Sequence, residues 1–165
     1  MTPQSPKSLS LGPLTGAAYW TGALLILISW LDFGATVWPF RLGDVDWRYG
    51  AIGLLSGFTL TPILGGLIIV AVAALAEHRG MLRVAALGHL VAAGALLLLI
   101  AAFELDAVQL RRDMASEART AAAVGAGKAA LKLVLTASAL VWIGIAGLRR
   151  LGPRPMRTEA RQIVV

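Results

Sequence analysis

The 165-residue sequence has no cysteine. Disulfides, thiolate catalysis, cysteine-ligated zinc and iron–sulfur clusters are thereby excluded. Histidine is nearly as scarce, with only His78 and His89, which leaves little room for an all-protein metal centre. Charge is sparse too: 15% of residues against about 25% in an ordinary soluble domain. Motifs with a catalytic mechanism are missing. There is no GxxxxGK(S/T), no GxGxxG after a strand, no HExxH, no GxSxG, and no His/Asp pair at catalytic spacing. No internal repeat is visible. These absences point to a protein that is not an enzyme.

What the sequence has is apolar residues. They make up 58% of the chain, and the mean hydropathy is +0.76. A soluble fold of this length could not hide that much apolar surface, and a disordered chain would not carry it. The class is an integral membrane protein.

A helix crossing the hydrocarbon needs about 20 mainly apolar residues. Four segments qualify: 17–37, 51–76, 81–103 and 129–148. They are read as helices because lipid offers backbone groups no partner. Continuous Leu/Ala/Ile runs are also the wrong pattern for a β-barrel. The expected fold is an all-α four-transmembrane-helix bundle spanning residues 17–148. Residues 1–16, with three prolines and one lysine, read as a disordered tail. The first span has full length, contains Asp32 and is followed by no small-residue cleavage site, so it reads as an uncleaved signal anchor. Residues 149–165 form a basic tail.

Four spans put both termini on one side. That side carries eight basic and two acidic residues outside the spans, and the other side five and six. The positive-inside rule then predicts both termini in the cytoplasm, in a bacterial inner membrane. Aromatic anchors agree: Tyr19, Trp20 and Trp142 at the inner ends, and Trp38, Phe40, Trp47 and Tyr49 at the outer interface. Most of the net charge of +6 lies in the tail RRLGPRPMRTEAR. Directly after a span, such a tail binds anionic lipid. Nucleic acid is not expected, because no ordered basic face with a recognition element accompanies it.

Span two carries Gly53, Gly57, Thr61 and Gly65 at a spacing of four, a small-residue ridge suited to close helix packing. Its first expected partner is another span of the same chain. Pro62, in FTLTPILGG, predicts a kink. It is read either as a hinge in a transport path or as a static bend healed by Ser56, Thr59 or Thr61.

Ionisable residues inside spans are functional candidates by default. Asp32 lies roughly 8 Å inside the outer end of span one. Lys128 and Lys132, one turn apart, start span four from the same side, and Glu104 ends span three there. Two readings follow for Asp32: a proton- or cation-binding carboxylate, or half of a structural ion pair with Lys132. His89 lies about eight residues inside span three among alanines, with Gly88 beside it. It is read as a hydrogen bond to span two near Pro62, or as a ligand to a haem iron or pigment magnesium. His78 is eleven residues away, about 16 Å along an ideal helix, and cannot share a haem face with it. No cofactor is required, and bound lipid is expected.

On the outer side, WPFRLGDVDWRYG (38–50) is rich in residue types that dominate protein–protein hot spots, with Arg41, Trp47 and Arg48 as docking candidates. An interfacial belt with local Arg–Asp pairing is the competing reading. Residues 104–128 read as a helical extension of span three, with Arg111 and Arg112 suited to contacting another subunit. Gly125–Gly127 offers a turn into span four, although a helix running through it is compatible. The expected function is a non-catalytic accessory subunit of a larger membrane complex, photosynthetic or respiratory, with other membrane subunits as partners. The alternatives are a small transporter or channel using Asp32 and Lys132, and a pigment- or haem-binding protein through His89.

Overall fold

Proline and capping residues set where the helices break. In this computed structural model, which describes residues 12–152, the helices are α1 Gly12–Thr36, α2 Val45–Phe58, α3 Leu60–Leu75, α4 Arg79–Asp113 and α5 Ser116–Arg149. No strand occurs among the described residues. α1, α4 and α5 are each long and apolar enough to cross a membrane, and α2 with α3 meets the same test only as a pair, bent by 48°. Over the described residues the chain is helical, with three helices, or four if the bent pair is one span, suited to a membrane protein.

The bend has a covalent cause. Pro62 has no N–H to give the Phe58 carbonyl, and its ring crowds that carbonyl. α2 accordingly stops at Phe58 and α3 restarts at Leu60. α2 itself starts at Val45, earlier than the expected Ala51, because Asp44 caps it. The Asp44 carboxylate accepts the N–H groups of Asp46 at 2.9 Å and Trp47 at 3.2 Å. Between α3 and α4 the chain turns through Glu77 at φ 56°. The His78 N–H closes onto the Ala73 carbonyl at 2.9 Å, a Schellman-type stop with a glutamate where glycine is usual.

Two sequence expectations are corrected. Residues 12–16 belong to α1 rather than to a disordered tail; residues 1–11 and 153–165, including Arg154, Arg157 and Arg161, lie outside the described residues. The turn into the last span is at Met114–Ala115, where the backbone is extended, and not at Gly125–Gly127. Each glycine there costs about 1 kcal/mol relative to alanine. That is offset by packing of the same segment: Ala126 and Ala129 are buried in the core with Phe103 and Leu133.

α4 and α5 have 35 and 34 residues, about 50 Å each against about 30 Å of hydrocarbon. They form one long antiparallel hairpin with a run of charged residues, between Glu104 and Lys128, around its turn. α2 and α3 pack across this hairpin, and α1 packs on α3. Among the described residues the backbone of α1 does not come close to that of α4 or α5.

Candidate functional site

At the end that carries the α1–α2 loop and the α4–α5 turn, the Arg48 guanidinium grips Asp106 with two bonds. Nε donates to Oδ2 at 3.1 Å and Nη2 to Oδ1 at 2.8 Å. The third donor, Nη1, reaches the Leu42 carbonyl at 2.9 Å. Asp106 is buried, its side chain only 5% exposed, whereas Arg48 keeps 32%. One turn deeper, Tyr49 stacks on Phe103 at 4.8 Å and 7°, and its hydroxyl donates to the Ala122 carbonyl at 3.4 Å. Trp47 donates its indole N–H to the Val37 carbonyl at 3.1 Å. Arg48 and Trp47, expected to dock a partner, are thus spent within the chain and fix the loop in place. Trp38, Phe40, Arg41 and Leu42 remain exposed on it. Trp38 and Phe40 meet edge to face at 5.3 Å, and Phe40 meets Trp47 at 6.0 Å. Arg111 and Arg112 sit in the last turn of α4.

The expected intramembrane cluster is not assembled. Asp32, Glu104, Lys128 and Lys132 are all exposed, and none of them joins the ion pair that the structure forms between Arg48 and Asp106. The reason is topological. Asp32 is on α1 and Lys132 on α5, and the backbones of these helices do not come close.

The small-residue ridge is also divided. The break at Thr59 puts Gly53 and Gly57 on α2, and Thr61 and Gly65 on α3. Of the four, only Gly65 makes a close backbone approach, and its partner is Gly22 of α1. A Cβ on Gly65 would lie 2.5 Å from the Gly22 carbonyl oxygen. Gly57 has nothing within 4 Å, and a Cβ on Gly53 would meet only Phe103, at 3.8 Å. Thr61 is exposed.

Because α1 and α4 both lie against α3 with their own backbones apart, a gap opens between them. It is a cavity of about 450 Å³ beside the helix break, with Thr59, Pro62 and Gly66 on one wall and His89 on the other. His89 is 9% exposed. Its Nδ1 lies 2.6 Å from the Ala85 carbonyl of its own helix. That replaces the expected bond to span two. A carbonyl only accepts, so Nδ1 carries the hydrogen and, in the neutral ring, Nε2 holds the lone pair. Nε2 faces Gly66: a Cβ there would fall directly on it. Nε2 therefore packs against the Gly66 backbone, and only a glycine there leaves room for the ring. Near the cavity, Thr136 of α5 donates to Thr59 at 3.1 Å. His78 lies elsewhere, stacked on Tyr19, with Nδ1 3.0 Å from the tyrosine hydroxyl. No group of three potential metal ligands is present among the described residues.

Sequence reasoning missed Asp106, Gly22, Gly66 and Thr136. Asp106 carried a visible signal, as a carboxylate among apolar neighbours one turn inside an extended span. Gly22 and Gly66 carried none beyond being glycines in a helix.

No protein-family model matches the chain, and neither the curated proteins nor the solved structures provide a match.

Proposed function

We propose that the chain is a four-span, non-catalytic accessory subunit of a larger assembly in a bacterial inner membrane, photosynthetic or respiratory. Both termini are cytoplasmic in this reading, and the α1–α2 loop and the hairpin turn are on the outer side. The observation that carries it is the preformed loop. Val37, Leu42 and Asp44 are tied down by Trp47, Arg48 and the α2 cap. Trp38, Phe40, Arg41 and Leu42 are left facing outward. Aromatic residues and arginine dominate interface energetics, and a loop already ordered loses little entropy on docking. The hairpin turn, with Arg111 and Arg112, extends the same end beyond the lipid. The partner is another membrane protein. The basic C-terminal tail binds anionic lipid, and nucleic acid has no part.

The test is the native mass after mild detergent extraction from the source membrane. The chain is expected in a particle far above its own 17.3 kDa. Arg41→Glu with Phe40→Ala is expected to release it while helical circular dichroism stays unchanged. A wild-type chain that runs alone or as a simple dimer sinks the reading. The transporter alternative has lost its cluster, since Asp32 and Lys132 do not meet.

A further inference from the structure

The helix ends opposite the α1–α2 loop carry charge that nothing in the fold uses. α4 begins with Arg79 and has Arg83 one turn on, while α5 ends with Arg149 and is capped by Arg150. All four are exposed. None of their side chains takes part in a hydrogen bond or ion pair among the described residues.

The antiparallel register brings them together. A Cβ on Gly147 would lie 2.9 Å from Ala86 Cβ and 3.7 Å from Leu82 Cδ1. Residue 147 of α5 is therefore level with residues 82–86 of α4. Arg149 and Arg150 follow directly, which puts all four arginines within about 6 Å of one level. The helices also approach closely here, since a Cβ on Gly144 would lie 2.9 Å from the Ala86 carbonyl oxygen. The pair on α4 and the pair on α5 are thus about 8–10 Å apart, the spacing of packed helix axes. Like charges this near repel one another. Among the described residues, Glu77 is the one acid at this end. What the arrangement lacks is an external anion.

The surroundings select the kind of anion. Trp20 and Trp142 are 72% and 73% exposed at this end, as aromatic residues are at a membrane–water interface. Trp142 lies seven residues before Arg149 on the same face of α5, about 10 Å deeper. Leu87 and Val91, one and two turns below Arg83 on its face, are exposed as well. A cationic rim above an apolar wall fits a phospholipid, whereas a soluble anion leaves the wall unused. Each guanidinium can hold a phosphate by two parallel bonds. Two pairs of arginines suit two phosphates. When one molecule carries both, the second phosphate meets its pair at high effective concentration once the first is held. Two separate lipids each bear their own cost of immobilisation.

We propose that Arg79 and Arg83 together with Arg149 and Arg150 bind one anionic phospholipid with two phosphates, of the diphosphatidylglycerol kind. One phosphate goes to each pair, and the acyl chains run along α4 and α5. The proposal rests on the reading that this end of the protein meets anionic lipid, and adds that the helix ends, not the tail, choose which one.

The test is lipid binding by the full chain in detergent, read by native mass spectrometry. The probes are diphosphatidylglycerol, phosphatidylglycerol at twice the molar amount, and phosphatidylcholine. Diphosphatidylglycerol is expected to bind at least ~10-fold tighter than phosphatidylglycerol. Arg79→Gln with Arg83→Gln, and separately Arg149→Gln with Arg150→Gln, should each abolish that preference. Helical circular dichroism should stay unchanged in both, because the four side chains are exposed. Arg154→Gln, Arg157→Gln and Arg161→Gln together neutralise the tail. They should weaken both anionic lipids alike and keep the preference. Tail changes without effect on either lipid would count against the tail as a lipid anchor and leave the proposal standing. The proposal is overturned if the two anionic lipids bind alike, if the preference survives either pair of helix-end changes, or if the tail changes remove it. Displacement of the lipid by inorganic pyrophosphate at equal concentration would overturn it in favour of a soluble anion. Equal binding of phosphatidylcholine would sink the anionic-lipid reading along with it.

Discussion

Adding one methyl group to Gly65 should separate α1 from the rest of the protein, whereas the same change at Gly57 should do no harm. A Cβ on Gly65 would sit 2.5 Å from the Gly22 carbonyl oxygen, 3.0 Å from Ile26 Cγ1 and 3.1 Å from Leu25 Cβ. A Cβ on Gly22 would sit 2.7 Å from the Gly65 carbonyl oxygen and 2.7 Å from Ile69 Cγ1. Backbone oxygens on packed helices cannot swing aside as a side-chain end can, so α1 and α3 must part. A gap of about 0.5–1 Å already forfeits a quarter to a half of the dispersion attraction across an interface. In lipid that attraction is the main force holding helices together. Overpacking of this kind costs about 1–3 kcal/mol, set against a gain of about 1 kcal/mol from the better helix propensity of alanine. Gly65→Ala and Gly22→Ala should therefore each be destabilising, by up to about 2 kcal/mol net. The double variant should cost clearly less than the sum, because one separation relieves both clashes. Gly57→Ala meets nothing within 4 Å and should be neutral or more stable by up to about 1 kcal/mol. Reversible unfolding of the purified chain in mixed micelles measures all four. Equal losses at Gly57 and Gly65, or strict additivity of the Gly22 and Gly65 changes, would refute the reasoning.

The Arg48–Asp106 pair should respond asymmetrically. Arg48→Met strands a carboxylate only 5% exposed, while Asp106→Leu frees a guanidinium that is 32% exposed and can turn to water. The first should lower the unfolding midpoint more than the second, and the double variant should recover part of the loss. Phe103→Ala removes one of the two largest fully buried side chains, together with its stack on Tyr49, and should cost about 3–5 kcal/mol by the same unfolding assay. Asp32→Asn and Lys132→Gln should each leave the unfolding midpoint unchanged and show no coupling when combined, since the backbones of their helices do not come close; a measurable coupling energy would restore the ion pair.

What could be read from the sequence was whatever depends on one segment at a time. The long apolar helices follow from hydropathy, and the break near Pro62 follows from a missing N–H. Both are local consequences of composition, and both are present. What escaped depends on which segments lie side by side. Asp32 and Lys132 have matching depths, but depth along two helices says nothing about their being neighbours. The chain sets α1 against α3, where Gly22 and Gly65 allow the backbones to approach, and so takes Asp32 away from α5. The spacing-of-four ridge failed for a related reason. Gly53, Gly57, Thr61 and Gly65 share a face only on a straight helix, and the proline that was correctly read as a kink is what divides them. The two signals were in conflict within one span, and the covalent one governs because a proline cannot supply the bond that a continuous helix requires. Arg48 shows the same limit from the other side. Its residue type announced an interaction, but its partner lies 58 residues away, on a helix whose continuation past Phe103 could be expected and whose facing side could not. His89 is the mixed case. A histidine among small residues was a visible oddity, and the room it needs is supplied by Gly66, a glycine adjoining the ridge and not part of it. The cavity exists because α1 and α4 share the neighbours α2 and α3 while their own backbones stay apart, a property of the whole bundle that no single span contains.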